Sequence, residues 1–154
     1  MPARVVPAVA AGTWRAAGNM FTKLRTPRSV PMAAYTRVAS TQIGANGING
    51  GVISAGGGAT VKVAPQAFGT RWYPNQCNVA TASGAADSST CALYLNVVGA
   101  GGFLCQSYAG GGDQLGLAVP AMQPGDILYA VWAGGHAGDW CQVQVIGPMD
   151  ILVS

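Results

Sequence analysis

Glutamate is absent from this sequence, whose only acids are Asp87, Asp113, Asp126, Asp139 and Asp150. Charge of either sign is scarce: Asp, Glu, Lys and Arg supply 8% of the residues, against about 25% in an average soluble domain. A helical bundle exposes faces rich in Glu, Lys and Arg, so this poverty argues against one. Half of the residues are hydrophobic, which argues equally against a disordered chain. No window approaches the roughly 18 uninterrupted apolar residues of a membrane-spanning helix. There is no Cys-x-x-Cys pair and a single histidine, His136, so the close ligand spacing of a structural zinc site is missing. Without glutamate or a second histidine, paired-carboxylate and most acid–base constellations lose their usual members.

What is present in excess is glycine, 23 of 154 residues, about twice the usual share of ~7%. A length of 154 residues points to one domain with an appended segment. Charge placement marks that segment. Arg4, Arg15, Lys23, Arg25, Arg28 and Arg37 all lie in the first 37 residues, where no acid occurs, whereas the remainder sets Lys62 and Arg71 against all five aspartates. A basic arm, residues 1–38, is therefore expected on a weakly acidic body. Within the arm Thr13 can cap one short helix whose Trp14, Ala17, Phe21 and Leu24 form a single apolar stripe. Thr26-Pro27 and Val30-Pro31 then stop it. An Arg-rich, acid-free start is also the composition of a mitochondrial transit peptide, but Pro2 and Pro7 make a poor continuous amphipathic helix.

Residues 39–58 contain two Asn-Gly steps and a triple glycine and are expected to be a linker with at most a short strand at Val52-Ile53. From Ala59 to the end the pattern has period two. Val61 and Val63, then Cys77, Val79 and Thr81, then Cys91, Leu93, Leu95 and Val97 alternate with other residues. Phe103 and Cys105, then Leu115, Leu117 and Val119, then Ile127, Tyr129 and Val131, and finally Cys141, Val143 and Val145 continue the rhythm. Glycine- and proline-rich turns separate these runs. Seven or eight short strands predict an all-β body over 59–154, an antiparallel β-sandwich, jelly-roll-like or immunoglobulin-like, with an extended N-terminal arm. Gln123-Pro124-Gly125-Asp126 reads as a type II turn joining two neighbouring strands.

The four cysteines, Cys77, Cys91, Cys105 and Cys141, share the phase of the core residues. Buried thiols or one or two internal disulfides both fit; the absence of a secretion signal favours thiols. His136 and Asp139 sit in a glycine turn, and a hydrolase would recruit them with a serine such as Ser107. No Gly-x-Ser-x-Gly elbow accompanies them, and no enzyme, cofactor or metal is expected. Nucleic acid as a partner rests only on the basic arm, with Trp14, Phe21 and Tyr35 interspersed, and no recognition motif supports it. Trp132 and Trp140 flank the glycine turn. With His136 and Asp139 they form the candidate surface-binding set, either a sugar-stacking platform or a subunit contact.

The strings Phe68-Gly-Thr-Arg-Trp-Tyr-Pro-Asn-Gln76, Asp87-Ser-Ser-Thr-Cys-Ala-Leu-Tyr-Leu95, Gln106-Ser-Tyr-Ala-Gly-Gly-Gly-Asp113 and the run from Gln123 to Asp139 resemble small virion structural proteins of tailed phages that infect actinobacteria. The resemblance implies a β-sandwich module of the minor-tail or head-decoration type, located in the virion and anchored by an N-terminal arm. It implies no catalytic residues. Its expected partners are other copies of the chain and other virion proteins, with no membrane involved. Arg4, Trp14, Arg15, Phe21, Lys23, Leu24, Arg25 and Arg28 are then the arm's assembly residues. The alternative expectation is a carbohydrate- or host-surface-binding sandwich, with a host glycan as ligand.

Overall fold

The computed structural model describes residues 36–66, 69–82, 88–107 and 112–153. The short helix expected near Trp14 and the assembly residues Arg4, Trp14, Arg15, Phe21, Lys23, Leu24, Arg25 and Arg28 lie outside these. The described residues are all-β. Eleven strands run in chain order: β1 Thr36–Gln42, β2 Ile48–Val52, β3 Ala59–Val63, β4 Thr70–Trp72, β5 Gln76–Thr81, β6 Thr90–Leu95, β7 Phe103–Gln106, β8 Gly112–Gly116, β9 Leu128–Ala133, β10 Trp140–Ile146 and β11 Pro148–Val153. They form three antiparallel sheets of order β1-β11-β4, β2-β10-β5-β8 and β3-β9-β6-β7, an arrangement consistent with a β-sandwich.

The first two sheets are successive halves of one bent surface. Strand pairs β1/β2, β11/β10 and β4/β5 each pass from one sheet to the other in matching order. The bends are the 3-10 turn Gly44–Gly47, the single residue Gly147 and the segment Tyr73 to Asn75. Backbone hydrogen bonds lock the corner: Ile43 N–H donates to Gly147 O at 2.9 Å, Tyr73 N–H to Pro148 O at 2.9 Å and Asn75 N–H to Ile146 O at 3.0 Å. Glycine is needed at 147 because a Cβ there would collide with the Tyr73 carbonyl.

Residues 39–58 are therefore not a linker, and the arm does not extend to residue 38. The Asn-Gly steps and glycines serve strand ends and close approaches, and Ile43 and Ile53 are fully buried in the core. The glycine run reads as flexible in sequence because nothing local announces the long-range partners β11 and β10. The Asn49 side chain also donates to Lys62 O at 2.7 Å, tying edge strand β2 to edge strand β3.

One core lies behind the sheets. The middle sheet contributes Cys77, Val79, Cys141, Val143 and Val145, and the third sheet contributes Val61, Val63, Cys91, Leu93, Leu128, Ala130 and Trp132. Each fully buried large apolar side chain stabilises by roughly 1.5–3 kcal/mol. The expected phase of β9 is corrected here. Leu128, Ala130 and Trp132 point inward, while Ile127, Tyr129 and Val131 are half-exposed, because residues 127–132 are continuously apolar and their alternation carries no phase. The phase of β7 is corrected too. A register shift pairs Leu93 with Cys105 but Tyr94 with Phe103, so Cys105 follows Leu93 and Phe103 turns outward with Tyr94. Val97 falls beyond the end of β6 and is exposed.

Residues 123–126 do form the expected turn. Gly125 takes a φ of 101° and Asp126 N–H donates to Gln123 O at 3.0 Å. The turn does not join sheet neighbours, since β8 and β9 belong to different sheets. It docks instead on Asn96, a non-glycine residue at positive φ (63°). The Asn96 amide donates to Asp126 Oδ1 at 2.9 Å and its side-chain oxygen accepts from Ile127 N–H at 2.8 Å. Asn tolerates the left-handed conformation better than most residues.

Candidate interaction surfaces

The four cysteines supply an interior, not a reactive site. All are free thiols; Cys77, Cys91 and Cys141 are buried and Cys105 is half-buried. Burial, with a smaller contribution from Cys105, pushes the Cys77 thiol up to about 12. Burial also raises Cys91, helped by the neighbouring thiols of Cys77, Cys141 and Cys105. Cys105 is raised by burial and by Asp113, and Cys141 by burial against opposing backbone hydrogen bonds. Thiols held neutral at ordinary pH are poor nucleophiles and act as small apolar side chains. Among the described residues no three His, Cys, Asp or Glu side chains are placed to hold a metal ion.

The glycine turn after β9 is a packing device. Its Gly135 N–H donates to Gly57 O at 3.0 Å, its Gly138 N–H to Ile53 O at 2.9 Å, and a Cβ at Gly135 would strike Ile53. His136 stands exposed at the tip with Nδ1 3.7 Å from Asp139 Oδ2, a pairing within the turn itself. Ser107 is buried, and its Oγ accepts the Cys91 N–H at 2.9 Å, closing β6 against the end of β7.

Of the two tryptophans expected to flank this turn as a pair, only one is available. Trp132 is an inward residue of β9 and 3% exposed, whereas Trp140 on β10 is 52% exposed. A Trp132–Trp140 platform is thus corrected: the two rings belong to different sheets, and one of them is core. In the sequence both look like turn-flanking aromatics because each sits at a strand end.

The registers show two outward faces of contrasting chemistry, neither apparent from the sequence. On the third sheet, cross-strand pairing aligns Lys62, Tyr129, Tyr94 and Phe103 in one row across all four strands. Lys62 Nζ lies 5.4 Å from the Tyr129 ring centroid, and Tyr94 meets Phe103 edge-to-face at 5.7 Å. Such contacts suit rings with a negative face and positive edge. Past this row the β6–β7 connection carries Val97 and Val98, both exposed. On the middle sheet the outward row is Ile48, Gln144, Asn78 and Gln114, beside a second row of Gly50, Gln142, Ala80 and Gly112.

A separate polar knot holds the first sheet. Buried Asp150 accepts from Tyr73 Oη at 2.9 Å and lies 3.7 Å from the Arg37 guanidinium. No helix among the described residues is long and apolar enough to cross a membrane. No family model matches the chain, and neither a curated protein nor a solved structure matches it.

Proposed function

We propose that the chain is a non-enzymatic structural subunit of a multi-copy assembly, a phage virion protein of the minor-tail, collar or head-decoration kind. In this reading the body is an antiparallel sandwich of jelly-roll or immunoglobulin-like type. The bent double sheet is one leaf and β3-β9-β6-β7 is the other. The basic N-terminal arm anchors it to the particle.

The supporting observation is the outward face of the third sheet. Phe103 is 48% exposed, Val97 54% and Val98 50%. They continue a row of aromatic rings in which Lys62 is the one charged side chain. Exposed apolar side chains at this end of a body so poor in charge disfavour a free monomer and suit a face covered by a neighbour. Repetition round a ring or lattice then multiplies a modest contact. The phage assignment itself rests on the resemblance of the turn-and-strand strings.

Two measurements test this. The native mass of the full chain should be a multiple of 15.5 kDa, and antibodies to the chain should label purified particles at a defined position. A chain that stays monomeric at high concentration and labels no particle overturns the reading. A truncation meant to remove the arm should end before β1, which begins at Thr36.

A further inference from the structure

We propose that the outward face of the β2-β10-β5-β8 sheet is a binding platform for a neutral saccharide chain, with Trp140 as its stacking ring. Every outward position of these strands is uncharged: Ile48, Gly50 and Val52 on β2, Trp140, Gln142, Gln144 and Ile146 on β10, Gln76, Asn78 and Ala80 on β5, and Gly112, Gln114 and Gly116 on β8. A nucleic acid or anionic polymer needs cations, which this face lacks. A protein partner is usually met by Arg, Met and several aromatics at the centre of the contact. This face has no Arg or Met and a single aromatic ring; its exposed apolar side chains, Ile48, Val52 and Trp140, lie on β2 and the start of β10, and carboxamides fill its centre.

Carboxamides donate and accept at once, as sugar hydroxyls do. Those at the centre are already ordered: Gln76 Nε2 donates to Asn78 Oδ1 at 3.0 Å, and Asn78 Nδ2 to Gln144 Oε1 at 3.4 Å. Gln144, Asn78 and Gln114 lie in register on three adjacent strands. At about 4.8 Å per strand they form a polar ladder on the order of 10 Å long. Glycines and Ala80 leave low ground beside it.

Trp140 supplies the apolar complement to a sugar ring's C–H face. Its six-membered ring lies over Gly50, where any Cβ would strike Cζ2, and about half of the side chain remains open to solvent. An aromatic ring fixed by a glycine beneath it, beside a row of amides, has the two chemistries that saccharide recognition combines. The platform is independent of the assembly reading, which uses the opposite sheet's face.

The test is affinity electrophoresis of the full chain through gels containing amylopectin, mannan or galactan, with chondroitin sulfate as the anionic control. At least one neutral polymer should retard the chain. Trp140→Ala should weaken that retention at least tenfold, and the double variant Gln142→Ala/Gln144→Ala should weaken it similarly, with unchanged thermal unfolding. Should Trp140→Ala fail to fold, the double variant carries the test alone. No retardation by any neutral polymer overturns the proposal, as does retention that survives these variants or stronger binding to chondroitin sulfate. Loss of self-association in Trp140→Ala without any saccharide binding would identify a second copy as the occupant and also overturns it.

Discussion

The two four-stranded sheets share their inward chemistry and differ in their outward chemistry. Each turns Val and Cys side chains to the common core, Cys77 and Cys141 from one sheet and Cys91 and Cys105 from the other. Outside, one presents a ladder of amides with a single exposed tryptophan, and the other presents Lys62, Tyr129, Tyr94 and Phe103 in a row. The contrast separates the residues that make the fold from those free to carry interactions. A change to the interior should disable both faces together, and a change to one face should leave the other intact.

The largest effect is expected from the interior, through alkaline pH. In the unfolded chain a thiol ionises near 8.5, whereas folded Cys77 does so only at about 12 and Cys91 is raised as well. Below pH 8 both states hold these protons and stability is unaffected. Above pH 9 the unfolded state loses protons that the folded state keeps, so stability falls as pH rises, by roughly 1.4 kcal/mol per pH unit for each fully shifted thiol. Urea midpoints measured from pH 7 to 10.5 should drop, and the slope should be shallower in Cys77→Ala/Cys91→Ala. Equal slopes in the two proteins would show that the thiols are not the cause.

The next effect separates the faces. Val97→Asp with Val98→Asp places two carboxylates on the exposed connection between β6 and β7 without touching the core. Native mass measured across a dilution series should show at least tenfold weaker self-association, with retention by neutral polysaccharide unchanged. Loss of both properties would mean that the two faces are not independent.

The reciprocal change is Gly50→Val. Its side chain cannot share space with the Trp140 ring, but that ring is the half-exposed end of a side chain that can swing away. Stability should therefore change by less than about 1 kcal/mol, in the range of exposed substitutions that break no core packing. Tryptophan emission should shift and saccharide retention should fall, while native mass stays as it was. Unaltered emission would show that Trp140 does not rest on Gly50.

How much of this was legible in the sequence follows from which signals are local. Alternation located the strands around Val61, Cys77, Cys91 and Cys141 because each buries one face and exposes the other. It put Ile127, Tyr129 and Val131 inward where Leu128, Ala130 and Trp132 are buried, because both registers of 127–132 are apolar, and it missed the shift that turns Phe103 away from Cys105. Residues 39–58 read as linker because glycines serving close approaches look the same as glycines serving flexibility until their neighbours are known. The candidate surfaces were less legible still. Trp140 stands out in the sequence only for its place beside a turn. The amide ladder and the aromatic row exist only through cross-strand register, which joins residues more than 60 positions apart in the pair Asn78 and Gln144.

The smallest effect tests whether the aromatic row is an energetic unit or only an alignment. The Lys62 side chain is exposed, and its ammonium lies over Tyr129. Such a contact is worth roughly 0.5–1 kcal/mol at an exposed site. Lys62→Met keeps the apolar stem and removes the charge. It also leaves the link between β2 and β3 in place, because Asn49 donates to the backbone carbonyl of Lys62 and not to its side chain. A loss of that size, cancelled when Tyr129 is first changed to Leu, would assign the energy to the cation–ring pair in a double-mutant cycle. The same loss persisting in the Tyr129→Leu background would place it in the packing of the lysine stem on β3, and the row would then be an accident of register on this face.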